Sequence, residues 1–334
     1  MQVGGVPAQL VDCRTRDELL EAAIVTWQTG EDWLVLGGGS NIVVADEVPD
    51  LHVIRVLTEG IEVVEEATDS VTIRVQAGHN WDSLVAHAVA CGWAGLEALS
   101  GIPGTVGAAP VQNIGAYGQE VATVIDCVEF LDYASYEVEI LPARELGFGY
   151  RDSVFKQGRV GVITWVQFTL AKLGGFSQPV QFDQLATALG VQLGQAVELP
   201  QVRAQVLRLR ASKGMVLDST DRDTFSCGSF FTNPVVSARL ARTIDAGCPR
   251  WESAHNDGQT VKLSAAWLIQ HSGFGPGYRI PGSNAGLSSK HTLAITNRGG
   301  ASATEVVELA ALIQQRVANT FGINLIPEPN LIGF

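Results

Sequence analysis

The 334-residue chain reads as an α+β protein, and three features carry that reading. From Leu51 to Ala77 strand patterns follow one another in LHVIRVL, IEVVEE and VTIRVQA. Helical spacing is confined to a few separate stretches, notably residues 16–28, 183–211 and 303–321. Between them lie glycine-rich segments too permissive for either element, drawn from a total of 36 glycines.

In chain order, RDELLEAAIVTWQ at 16–28 has helical spacing, and Thr29-Gly30 stops it before an apolar strand at Trp33–Leu36. Gly37-Gly38-Gly39-Ser40-Asn41 then turns into Ile42-Val43-Val44. After the 51–77 strands, Gly78 leads into a predicted helix from Trp81 to Cys91, stopped by Gly92. Further strands are predicted at Asp126–Leu131, Tyr136–Leu141 and Gly161–Leu170. The texture changes near Gly174-Gly175-Phe176, and 183–211 reads as helical with a short break at Glu198-Leu199-Pro200, which places a domain boundary near residue 210. Residues 215–300 hold strands and a helix at Ser264–His271. The last helix, Ala303–Phe321, has an S-x-x-E capping box in Ser302 and Glu305 and an apolar stripe of Val306, Leu309, Ala310, Ile313 and Val317.

Composition narrows the function. Lysine plus arginine total 22 against 35 acidic residues, a formal net charge of -13 that argues against a general binder of nucleic acid or anionic membrane. Any anionic ligand has to be held by local groups. The five cysteines are scattered and never form a C-x-x-C pair, which favours a reducing compartment over disulfides or structural zinc. The six histidines have no paired-ligand spacing, so no metal is expected. With no long apolar run and no basic leader, cytoplasm is the default location, and the chain is expected to be a monomer.

The most informative segment is SGIPGTVGAAPVQNIGAYG, residues 100–118. Gly101, Gly104, Gly107, Gly115 and Gly118 leave the backbone as the binding surface, so main-chain N–H groups can reach phosphate oxygens while Pro103 and Pro110 stiffen the loop. With the GGGSN turn it suggests one large dinucleotide, although GGGSN alone is better read as an ordinary turn. Neither loop is a G-x-G-x-x-G fingerprint. Three further clusters stand out: GYRDSVFK at 149–156, SCGSFFTNP at 226–234 and IPEPNLIGF at 326–334. Taken singly, a salt-bridged strand, a turn serine and an exposed glutamate on a stiff tail account for them about as well as chemistry does.

Taken together and in this order, the five motifs resemble the UDP-N-acetylenolpyruvoylglucosamine reductases, flavoenzymes of bacterial peptidoglycan precursor synthesis, over nearly the whole chain. The insertion at roughly 170–212 makes it look like the longer, type I branch. The resemblance implies an FAD-binding domain of the vanillyl-alcohol-oxidase (PCMH) type in two parts, residues 1–58 plus 322–334 and 59–210, followed by a UDP-sugar-binding α+β domain at 211–321. It implies FAD held by Gly37, Gly38, Gly39, Ser40, Asn41, Ser100, Gly101, Gly104, Gly107, Ala108, Gln112, Asn113, Gly115, Ala116 and Tyr117. NADPH would reduce the flavin, and the enolpyruvyl ether of UDP-N-acetylglucosamine would then be reduced to the lactyl ether. Arg151 and Glu328 would stabilise the developing enolate and Ser229 would deliver the proton, while Tyr150, Lys213, Asn233 and Phe182 would contact substrate, Lys213 and Asn233 at its diphosphate.

Two departures from the family pattern are visible. Phe182 stands where type I relatives commonly carry a tyrosine on the loop over the substrate, so it offers a ring without a hydroxyl. The chain also opens on Met1-Gln2-Val3-Gly4-Gly5, where relatives have several residues before the V-G-G turn, which implies a late start or a shortened first strand. Two rivals stay open on sequence alone: an FAD-dependent oxidase or dehydrogenase of the same fold acting on another substrate, and a nucleotide-sugar-binding protein without redox activity.

Overall fold

The computed structural model describes residues 1–252 and 259–334, which divide into two compact units. One comprises Pro7–Gly39 and Pro49–Ala211, the other Met1–Val6, Ser40–Val48 and Ser212–Phe334.

The first unit opens with strand Gln9–Cys13, helix Arg16–Thr29 and strand Trp33–Leu36. Both strands pair in parallel with His52–Val56, which therefore lies between them, with Ile54 opposite Val11 on one side and Val35 on the other. The helix starts where Thr15 and Glu18 complete a capping box and ends at Gly30, whose φ of 76° only glycine adopts without strain. An antiparallel sheet follows in the order Val138–Pro142, Ile125–Asp132, Gly161–Lys172, Ser70–Gln76, Ile61–Glu66, with Trp93–Ala94 also paired to the long central strand. Ser70–Gln76 buries alternate residues Val71, Ile73 and Val75, as a strand with one face in the core must. Gly161–Lys172 is buried almost continuously from Val162 to Val166. Helix Trp81–Ala90, capped by the Asn80 side chain on the Ser83 N–H, supplies Trp81, Leu84 and Val85 to the same core as Leu19, Phe130 and Phe168.

The insertion departs from expectation. The helical reading of 183–211 resolves into helices Asp183–Leu189 and Leu199–Ser212, and 190–198 is not a short break but a returning segment. Gly190 at φ 71° ends the first helix, and Ser177, Val180 and Gly194 then exchange backbone hydrogen bonds with Val197, Gln195 and Val180. Pro200 falls in the first turn of the second helix, where its missing N–H costs nothing. Likewise the strand predicted from Tyr136 begins at Val138, because Tyr136 occupies the left-handed region at φ 61° in the preceding turn.

In the second unit Ile42–Val44 pairs in parallel with the C-terminal strand Asn330–Ile332, which explains why a short early segment belongs with the end of the chain. A three-stranded antiparallel sheet (Val235–Ser237, Thr260–Leu263, Arg250–Glu252) and a hairpin (Ala285–Leu287 with Ile295–Asn297) accompany helix Ala265–His271 and the long helix Ala303–Phe321. The predicted stripe Val306, Leu309, Ala310, Ile313 and Val317 is buried, and the Ser302–Glu305 capping box is present. Asp46 adds a second cap from outside the helix: its carboxylate accepts the N–H groups of Ala303 and Thr304 and the Thr304 hydroxyl at 2.7, 2.9 and 2.7 Å. No described helix is long and apolar enough to cross a membrane.

Burial opposes ionisation of Asp46, but the Thr304 and Ala303 donors outweigh it and hold its pKa below the ordinary 3.8. Asp46→Ala is expected to destabilise the fold by about 1 kcal/mol in denaturant titration, the usual cost of losing an N-terminal cap. Because the folded-state pKa is depressed, this contribution is present above the ordinary value and fades as pH falls through the folded one; the stability gap between wild type and variant should therefore close in acid.

Candidate functional site

In the first unit the chain leaves strand Trp33–Leu36 through Gly37, Gly38 and Gly39 and meets the second glycine-rich loop main chain to main chain. A Cβ on Gly38 would lie 2.8 Å from the Gly104 Cα, one on Gly37 would collide with the Thr105 hydroxyl, and one on Gly107 would lie 2.6 Å from the Ala77 Cβ. These glycines are fixed by close approach rather than by flexibility. Among the described residues, the N–H groups of Gly38, Gly39, Gly104 and Thr105 donate to no backbone carbonyl. A close-packed junction whose main-chain donors are not taken up by backbone carbonyls is what a pyrophosphate requires. Thr105, at the centre of this junction, was not distinguished by sequence, since a threonine inside a glycine loop gives no signal of its own.

Other residues of the loop shape it rather than offer donors. Ser100 is fully buried, with its N–H and hydroxyl both on the Glu97 carbonyl. The Gly101 N–H goes to Asp82 at 2.6 Å, and the Gly107 and Ala108 N–H groups go to the Ala77 and Thr105 carbonyls. Asn113 is buried at φ 46°, and its amide donates to Glu120 and to the Gly149 carbonyl while accepting from the Ala122 N–H. It braces the loop against two neighbouring segments. Gln112 lies between Val111, whose carbonyl holds the buried Ser153 hydroxyl, and this brace.

The loop ends in a two-residue hairpin. Gly115–Ala116 pairs with Gln119–Glu120 around Tyr117 and Gly118, whose φ values of 49° and 86° fit the tight turn that matches strand twist. Tyr117 meets Phe182 edge-on at 5.8 Å, and burial pushes its pKa up despite the opposing charge of Arg210. Arg151 occupies a second tight turn, closed by reciprocal hydrogen bonds between Gly149 and Asp152, at φ 55°. Its Nη2 donates to the Gly115 carbonyl at 2.7 Å and Nη1 to the Asn113 carbonyl at 3.4 Å, and the guanidinium packs over the Tyr150 ring at 5.4 Å. A Cβ on Gly115 would lie 3.1 Å from Nη1, so this glycine makes room for the arginine. The structure thus brings Arg151, Asn113, Gly115 and Tyr150 together.

The second unit assembles a different set. The Glu328 N–H donates to the Phe230 carbonyl, Thr232 donates to Ile326, and Phe231 bridges Pro327, so the rigid Ile326–Pro329 segment lies along Phe230–Thr232 and Glu328 beside the segment that carries Ser229. Phe230 and Phe231 are buried beneath it. The Asn41 amide donates to the Glu328 carbonyl at 3.4 Å and its own carbonyl accepts from Asn330, which places Ser40 and Asn41 at this C-terminal strand. Asn233 accepts the Ala265 N–H on Oδ1, leaving Nδ2 as the donor end of the amide. Lys213 stands close enough to His291 that, after burial, its charge is the second influence pushing that imidazole down to about 4. His291 is therefore neutral near pH 7.

The cradle of Gly37–Gly39 and Gly104–Thr105 fits the pyrophosphate of a dinucleotide such as FAD on sterics and on donors. Gly38→Ala forces a methyl against the Gly104 backbone, and equilibrium dialysis or flavin fluorescence should find dinucleotide binding about tenfold weaker or worse.

Comparison with known proteins places these features in a family. Residues 7–139 match the FAD binding domain family, and residues 220–332 match the family described as UDP-N-acetylenolpyruvoylglucosamine reductase, C-terminal domain. The UDP-N-acetylenolpyruvoylglucosamine reductase of Leifsonia xyli subsp. xyli is 47% identical, the match covering 100% of this chain and 96% of that protein. The one of Salinispora arenicola is 48% identical over 99% of this chain and 92% of its own length. Among solved structures, UDP-N-acetylenolpyruvylglucosamine reductase from Thermus caldophilus superposes with a TM-score of 0.63 at 27% identity, covering 97% of this chain and 91% of that one. With relatives of 47% and 48% identity along its whole length, the chain belongs to the UDP-N-acetylenolpyruvoylglucosamine reductase family.

Proposed function

We propose that this protein reduces UDP-N-acetylglucosamine enolpyruvate to UDP-N-acetylmuramate with NADPH as reductant, in the cytoplasm and as a monomer, and that its domains run 1–58 plus 322–334, 59–210 and 211–321. The observation that supports the reading is the pairing of Ile326–Glu328 with Phe230–Thr232, which sets the segment that carries Glu328 beside the one that carries Ser229, in a chain whose other unit contains the side-chain-poor Gly37–Gly39 and Gly104–Thr105 junction. FAD, which the Gly37–Gly39 and Gly104–Thr105 cradle would hold, would supply at the β-carbon of the enol ether the hydride that NADPH provides.

The protein's part is to make that carbon an acceptor and to finish the addition. Charge builds on the α-carbon and spreads into the adjoining carboxylate. Arg151, already oriented by the Gly115 and Asn113 carbonyls, supplies preorganised positive charge to it, and Glu328, held between two prolines, acts with it on the enolate. The Ser229 hydroxyl delivers the proton to the α-carbon. Lys213 and the donor end of Asn233 hold the diphosphate, and Tyr150 and Phe182 contribute ring surface to the nucleotide sugar. Phe182 is 37% exposed, so it has area left to cover a ligand, though no hydroxyl for a phosphate.

Anaerobic absorbance tests the reading directly: NADPH should bleach the flavin and the enolpyruvyl substrate should restore it. Bleaching without recovery would indicate another substrate on the same fold. Ser229→Ala should leave the bleaching rate within about twofold and slow the recovery by roughly 10²–10⁴-fold. In steady state, Lys213→Ala should raise the substrate KM about tenfold or more with a smaller change in kcat; an unchanged KM would remove Lys213 from the diphosphate site.

A further inference from the structure

We infer that the second unit carries a phosphate-binding site built from three arginines and separate from Lys213. Arg222, Arg279 and Arg298 line one open cavity of about 540 Å³ together with Asp221, Asp223 and Gly277. Each arginine is held by a different device. Arg222 begins the short turn Arg222–Thr224, which the Asp221 carboxylate caps by accepting the Asp223 N–H at 3.0 Å, and its guanidinium lies 5.0 Å over the Phe225 ring. The Arg279 stem lies across Gly286, where a Cβ would come within 2.6 Å of the Arg279 Cγ, so the glycine opens the slot in which the side chain runs. Arg298 donates to Asp223 at 2.6 Å.

The two carboxylates are already spent. Asp223 is buried and accepts the Ser289 N–H at 2.8 Å and the Ser289 hydroxyl at 2.5 Å besides Arg298, and Asp221 pairs with Lys290 at 2.6 Å. Among the described residues Arg222 and Arg279 enter no salt bridge, so the cavity keeps an excess of positive charge in a chain of net charge -13. Planar guanidinium forks restrained before any ligand arrives suit the three oxygens of a phosphate dianion and reduce the ordering cost of binding it. Lys290 and Ser289 belong to the turn that continues to His291 beside Lys213, so the two cationic regions are joined by one turn yet draw on different side chains.

The ligand chemistry is a phosphate monoester or free phosphate, and calorimetry on the FAD-loaded protein at low salt separates the sources. Inorganic phosphate, pyrophosphate and 2′,5′-ADP are titrated, with 5′-AMP as the nucleotide lacking the 2′-phosphate. At least one probe is expected to bind saturably, about tenfold or more weaker in the Arg222→Ala/Arg279→Ala variant, with that variant's flavin spectrum and melting temperature kept. Preference for 2′,5′-ADP over 5′-AMP and inorganic phosphate assigns the site to a nucleotide 2′-phosphate; equal binding of inorganic phosphate assigns it to the free anion. Because Arg222 is exposed, Arg222→Gln alone serves if the double variant does not fold. Binding weaker than about 10 mM for every probe, or binding of every probe that survives loss of the arginines, would overturn the inference, and neither outcome bears on the reductase reading.

Discussion

Backbone meeting backbone at Gly38 and Gly104 is the contact on which the cofactor half of the molecule depends. A Cβ has no space there, and the N–H groups of Gly38, Gly39, Gly104 and Thr105 are left without backbone carbonyl partners among the described residues. A loop of this composition forfeits conformational entropy when ordered, and little side-chain burial offsets it. The protein recovers order from outside the loop. Gly101 is tied to Asp82, Gly107 packs on Ala77, Asn113 is bonded on three sides, and Arg151 grips the carbonyls at the far end. The loop is therefore rigid through its neighbours, which is the condition for binding phosphate without paying to organise the donors afterwards.

Asp82 extends that logic to the insertion. Its two oxygens take the Arg203 guanidinium at 2.7 and 2.8 Å while one also holds the Gly101 N–H. Burial works against the charge, but the Arg203 and Gly101 bonds outweigh it and keep the carboxylate below its ordinary pKa. Buried Glu97 fastens the stretch that the returning segment pairs with, accepting the Gln178 N–H on one oxygen and the Gly95 N–H on the other. The helix that precedes Lys213 and the segment that carries Phe182 are thus fastened by carboxylates, whose strong, directional hydrogen bonds add to an apolar cluster in which Ala98 and Tyr117 meet Val180, Leu185, Val202 and Val206.

Charge is distributed by the same economy. An acidic chain that handles anionic ligands cannot rely on its overall field, so cations have to be placed singly and oriented: Arg151 by two carbonyls, Lys213 beside a neutral imidazole, and the three cavity arginines by a ring, a glycine slot and a carboxylate. Each arrangement is local. None is visible in the net charge.

What the sequence by itself determined was whatever depends on near neighbours in the chain. The helix at 303–321 was legible because its capping box and apolar stripe are complete within a few residues, the helix at 16–28 because its spacing and its glycine stop are local, and the Ser70–Gln76 strand because alternation is a local property. Glycine density marked the loop at 100–118 for the same reason. Only the tertiary structure decided which glycines are obligatory, that Ser100 and Asn113 are spent as braces, that residues 190–198 turn back to pair with 177–180, and that Glu328 lies along Phe230. Those outcomes depend on contacts between residues far apart in the chain, such as Gly38 with Gly104, and no local pattern encodes which distant backbone will be the one to arrive.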